Sequence, residues 1–148
     1  MSSETFDRLL SEAKCLALEL LARPRVPGRN LPFAQGIRLD ESPLIPPKSQ
    51  GVYLIAQIDG TFIYVGKANN LRKRISASHL SGGKRDGKDF RDKMAESLNI
   101  PSGPELRQWL RENCAFSWIV IPRSEMCNIV EHLLVAWLRD EKHPIKND

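Results

Sequence analysis

Gly51-Val52-Tyr53-Leu54-Ile55-Ala56-Gln57-Ile58-Asp59-Gly60-Thr61-Phe62-Ile63-Tyr64-Val65-Gly66-Lys67, continuing as Ala68-Asn69-Asn70-Leu71-Arg72-Lys73-Arg74, sets the architecture of this chain. Two apolar, β-branched and aromatic runs flank Asp59-Gly60, a dipeptide that favours the tight turn of a β-hairpin. A two-residue loop pairs Ile58 with Thr61, which sets Ile55 opposite Tyr64 and Tyr53 opposite Gly66. A four-residue loop closed by Gln57 and Phe62 keeps the same register. Side chains alternate along a strand, so both tyrosines fall on one face as diagonal neighbours, close enough to share a ligand.

The charge lies just beyond this hairpin. From Lys67 to Lys93 there are nine Lys or Arg against three Asp, a local excess of six in a chain whose net charge is +4. Lys67, Arg72, Lys73, Lys84, Arg85, Lys88, Arg91 and Lys93 form a basic segment suited to a phosphate backbone, with affinity that falls as salt rises. Taken alone, such a run reads equally well as a solvated helix face and loop. Ser81 to Lys88 is glycine-rich and basic, the composition of a loop able to close over a bound polyanion.

Outward from the hairpin, Phe6, Leu9, Leu10, Ala13, Leu16, Ala17, Leu20 and Leu21 recur at helical spacing and predict an amphipathic helix over 5–22, packed on its own domain. Residues 23–50 carry Pro24, Pro27, Pro32, Pro43, Pro46 and Pro47 and read as an irregular, extended arm. Helices are expected at about 89–98 and from Pro104 to Asn113, since proline suits the first helical turn. Ala115 to Ile121 predicts a third strand beside the hairpin. Ser124 then caps a helix over about 125–140 whose wide apolar side is Met126, Ile129, Val130, Leu133, Leu134, Trp137 and Leu138. Glu131 sits at the edge of that side. Residue types alone leave it equally readable as a rim glutamate paired to a Lys or Arg.

Composition sets bounds. A chain of 148 residues can bury a core without metal or disulfide support. Cys15, Cys114 and Cys127 are odd in number and widely spaced, which fits small buried thiols in a reducing compartment. No apolar run reaches membrane-spanning length and the first residues lack a secretory pattern, so the expectation is a cytoplasmic protein with no membrane partner. Other chemistries fit poorly. Gly60 to Lys67 departs from a phosphate-binding loop because Ala68 stands where Ser or Thr is required. His132 and His143 have no nearby Cys pair for zinc. Cys127 and His132, five apart on one helix, face away from each other.

The hairpin tyrosines, Tyr64-Val65-Gly66-Lys67-Ala68-x-Asn70-Leu71-x-x-Arg74, Glu131-x-x-Leu134-Val135 and Pro144-x-x-Asn147 together resemble the GIY-YIG nuclease family. The motif is most similar to the N-terminal nuclease domain found in bacterial excision-repair enzymes, and the size is similar to that of small phage members. The resemblance covers about 51–80 and 115–147 and implies an α/β (α+β) fold: a small, mostly antiparallel, three-stranded sheet flanked by helices. Residues 1–50 then form an additional N-terminal helix and Pro-rich arm packed on a domain spanning 51–148.

The resemblance implies a divalent-metal-dependent endonuclease acting on DNA, with catalytic positions at Tyr53, Tyr64, Lys67, Arg74, Glu131 and Asn147. Glu131, a hard oxygen donor, is the implied ligand of Mg²⁺ or Mn²⁺. In the family the first tyrosine is usually the base, which falls on Tyr53, with Tyr64 orienting water or phosphate. Lys67 stands where it could favour a phenolate, Arg74 where a guanidinium can grip phosphate, and Asn147 where its amide can bond backbone near the hairpin. Two departures bear on activity. Ser78 occupies a position that often holds His or Tyr, with His79 one residue later, and the Glu131 to Asn147 interval is longer than usual by about one helical turn. They favour, as the second reading, a DNA-binding or assembly module with a weakened site. One site cuts one strand, so double-strand cleavage requires a homodimer or a second binding event.

Overall fold

The computed structural model describes residues 2–31, 45–75, 90–101 and 103–147. Ser78, His79, Lys84, Arg85 and Lys88 lie outside the described residues, as do the glycine-rich loop and the middle of the Pro-rich arm.

Strands β2 (Gly51–Gln57) and β3 (Phe62–Ala68) form the antiparallel hairpin, with Tyr53 opposite Gly66 and Ile55 opposite Tyr64. The turn differs in detail from both loops considered above. Gln57 N–H donates to Thr61 O (2.7 Å) and Gly60 N–H to Gln57 O (2.9 Å), so the loop has three residues. Gly60, at φ +96°, takes the left-handed position that a three-residue hairpin requires. The register is restored by a bulge: Ile55 pairs with Tyr64 but Ala56 with Phe62, leaving Ile63 as the extra residue. Ile63 therefore joins Tyr53 and Tyr64 in one core while Phe62 and Val65 pack in the other.

Strand β4 (Cys114–Val120) pairs with the free side of β2, placing Trp118 opposite Tyr53. The sheet has four strands in the order β1-β4-β2-β3, one more than expected, because β1 (Val26–Pro27) pairs with Phe116 and Ala115 at the outer edge of β4. A proline is tolerated there because an edge strand has one side without ladder bonds.

Both faces of the sheet are covered, which explains the unbroken apolar run of β2. Val52, Leu54 and Ala56 pack with α1 (Ser3–Ala22) and α4 (Ser124–Asp140), whereas Tyr53 and Ile55 pack with α2 (Phe90–Leu98) and α3 (Pro104–Asn113). The Ser2 hydroxyl accepts from Thr5 N–H and starts α1, whose small buried residues Ala13 and Ala17, with Leu20, lie against the layer of α4. The expected cap of α4 is corrected: Ser124 is the first helical residue, and its hydroxyl bonds Gln50 Oε1 (3.1 Å) because Gln50 already bridges to the Ile121 and Pro122 carbonyls.

After β3 the chain turns helical over 71–75 and is pinned to the end of the arm, with Leu71 N–H on Ser49 O and Arg72 N–H on Pro47 O. Residues 143–147 return along the outer edge of β3. Phe62 N–H donates to His143 Nδ1 (3.0 Å), and Lys146 N–H donates to Ile63 O (2.8 Å). Among the described residues no helix is long and apolar enough to cross a membrane.

Candidate active site

Alternation along β2 and β3 puts Tyr53 and Tyr64 on the same face, their ring centroids 6.0 Å apart at an interplanar angle of 48°. Tyr53 is 1 % exposed and hydrogen-bonded to the half-buried Tyr64. It fits between strands because position 66 has no side chain: a methyl on Gly66 would stand 2.2 Å from Tyr53 Cζ and 2.4 Å from its hydroxyl oxygen.

Three side chains bear on one hydroxyl. Burial pushes the Tyr53 phenol well above its usual range, the neighbouring Tyr64 and the Glu131 carboxylate push the same way, and the Arg74 guanidinium opposes them. Glu131 comes from α4, which packs on the other side of the sheet from Tyr53. Arg74 is exposed on the 71–75 turn, whereas Glu131 is half-buried.

Lys67 stands elsewhere. Three residues from Tyr64, it points to the opposite face of β3, where its ammonium is hydrogen-bonded to Asn128 Oδ1. The cation acting on Tyr53 is Arg74, while Lys67 acts on the Cys127 thiol. Lys67 and Arg74 do share a cleft of about 260 Å³, lined also by Gln50, Asn69, Ser124, Cys127 and Asn128.

Asn147 reaches the hairpin by its side chain. Its Oδ1 accepts from Val65 N–H (3.0 Å) and its Nδ2 donates to Val65 O (2.6 Å), so a single amide satisfies both edge groups of one β3 residue. The Arg139 guanidinium holds the Asn147 carbonyl.

The basic segment is divided by the fold. Lys73 and Arg74 are exposed, while Arg72 Nε is spent on Pro46 O (2.8 Å). Lys93 Nζ donates to Lys146 O (3.1 Å), tying α2 to the 143–147 segment. Arg91 is 3 % exposed, and its expected place on an outer basic surface is corrected: it lies on the side of α2 turned to the core beside Met94 and Ala95.

The two buried thiols offer no nucleophile. Cys114 is pushed up to about 12 by burial, and the Cys127 thiol, also raised by burial, donates to Ile121 O (3.3 Å). His132 is exposed and meets the Asn128 carbonyl instead of Cys127. Among the described residues no group of three or more His, Cys, Asp or Glu could hold a metal.

Two polar residues of the cleft escaped the sequence reading. Asn128 lies three residues before Glu131, a spacing that puts both on neighbouring turns of one helix side. Gln50 directly precedes β2 and ties it to the start of α4.

A phenol pair, an arginine and a helix-borne glutamate around a short antiparallel hairpin define a class. Residues 49–140 match the GIY-YIG catalytic domain, more than half of the chain, and the chain belongs to the GIY-YIG nuclease family. It is similar to the UvrABC system protein C of Deinococcus radiodurans, 44% identical over 66 residues, which is 45% of this chain and 10% of that protein. It is also similar to the UvrABC system protein C of Chlorobaculum tepidum, 50% identical over 42 residues, covering 28% of this chain and 7% of that protein. The protein of the same name in Geobacter metallireducens is 62% identical over 29 residues, 20% of this chain and 5% of that protein. The chain thus spans a tenth or less of the length of these curated relatives.

Proposed function

We propose that this chain is a divalent-metal-dependent endonuclease that hydrolyses DNA phosphodiester bonds. The observation that carries this reading is the phenol pair on one hairpin face, with ring centroids 6.0 Å apart and with Arg74 and Glu131 near enough to act on Tyr53 electrostatically.

Glu131 would hold the metal. Its half-buried carboxylate is a hard oxygen donor, and one or two such ligands with several waters suit Mg²⁺ or Mn²⁺. When bound there, the ion supplies Lewis-acid polarisation of the scissile phosphate and neutralises charge gathering on the leaving oxygen. Arg74 grips a phosphate oxygen with its planar fork, which preorganises positive charge where the five-coordinate phosphorus becomes most negative.

Proton handling falls to the phenols. The resemblance gives the base to Tyr53, but burial disfavours its phenolate, so in this reading the half-buried Tyr64 meets the attacking water and Tyr53 orients it through their hydrogen bond. Asn147 keeps the β3 edge fixed beneath them. Lys67 and Lys73, exposed beside Arg74, hold flanking phosphates of the DNA.

The test is supercoiled plasmid incubated with purified protein and Mg²⁺ or Mn²⁺. Cleavage that stops in chelator and in Glu131→Gln supports the assignment. DNA binding without cleavage under either metal overturns it in favour of a binding module.

A further inference from the structure

We propose that Asn128 is a positioning residue for Lys67, holding its ammonium in the cleft beside Arg74 so that the lysine meets a DNA phosphate fully charged. The inference rests on the nuclease reading above and deepens it with a residue that supports the phosphate-binding cations.

Lys67 leaves β3 on the α4 face, and the first turns of α4 bring the Asn128 amide oxygen onto its ammonium. Both residues line the cleft that also holds Arg74. A lysine stem has four rotatable bonds, and fixing it lowers the entropic cost of meeting a phosphate later. The acceptor is a neutral amide. A carboxylate in its place would bind the ammonium more strongly but would cancel the charge that a phosphate needs.

The residue type argues the same way. Asparagine is a weak helix former, and Asn128 is exposed in the interior of α4. Its side chain caps no helix end, so the fold gains little from it there. Alanine would suit the helix better.

The experiment is a double-mutant cycle on cleavage, with melting temperature measured alongside. Asn128→Ala should lower kcat/KM by about tenfold to a hundredfold, the scale on which misplacing a positioned group acts, while the melting temperature holds or rises. Asn128→Asp should lower it further by neutralising Lys67. In a Lys67→Met background Asn128→Ala should cost nothing more, because the group it positions is gone. Equal losses in both backgrounds, or no loss in the wild-type background, would overturn the proposal. A wild type that cleaves nothing would overturn the nuclease reading instead. The pairing is then read from the Lys67 ammonium signal in NMR, where a change on Asn128→Ala supports it and an unchanged signal overturns it.

Discussion

The Tyr53 ring occupies the space that any side chain at position 66 would need: a methyl on Gly66 would stand 2.2 Å from Tyr53 Cζ. Trp118 lies opposite Tyr53 on the other neighbouring strand, so the ring has a strand on each side and a core beneath. The glycine sets where the phenol goes.

Gly66→Ala should therefore displace the ring and overpack the core, at about 1–3 kcal/mol, with cleavage lost more completely than stability. Thermal melts and a plasmid assay would check this. In a Tyr53→Ala background the same change should cost clearly less stability, and fully additive losses would show that the two residues do not compete for space.

Glu131→Gln should abolish metal-supported cleavage yet shift the melting temperature little, because a half-buried rim carboxylate contributes little packing. Retained activity at saturating Mg²⁺ would remove Glu131 from the site. Arg74→Lys should leave DNA affinity nearly intact while lowering kcat, since the charge survives and the fork does not.

The Tyr53 phenol should resist ionisation in the folded protein. Tyr53 has a folded pKa raised well above the ordinary phenol value of 10.0, so its contribution to stability is fully present below pH 10.0 and is lost as pH rises toward the folded value. Phenolate absorbance should show Tyr53 ionising only above the ordinary phenol range or with unfolding. Tyr53→Phe should flatten the fall in melting temperature above about pH 10. A phenolate signal near that pH that disappears in Tyr53→Phe would contradict the burial argument.

Asn147→Ala removes two hydrogen bonds to Val65 and should cost about 1–3 kcal/mol in all. Amide exchange at Val65 should accelerate more than at Leu54 on the central strand. Equal protection at Val65 in both proteins would mean that water replaces the amide without loss.

The hairpin was legible because two signals agreed: alternation fixed which face each tyrosine takes, and Asp59-Gly60 fixed where the chain reverses. The bulge at Ile63 was not. Both loops considered keep a common register, whereas the chain closes on Thr61 and absorbs the difference within the strand. Strand β1 escaped because two residues ending in proline carry no alternation to detect. The direction of Lys67 was available, since an odd offset from Tyr64 implies the opposite face. Its partner Asn128, sixty-one residues away in sequence, was not. The burial of Arg91 escaped for a similar reason: charge runs are read as surface until a packed helix turns one member inward.

The two flanks of the sheet are covered in different ways. On one flank β1 is two residues long and ends in a proline, which has no N–H to offer an incoming strand. On the other, residues 143–147 already take up the Phe62, Ile63 and Val65 peptide groups, partly through a side chain that imitates backbone. Residues 143–147 thus occupy the β3 edge that β-augmentation would use, and detaching them would leave that edge open to an added strand. The segment that steadies the hairpin therefore also takes the place an added strand would need.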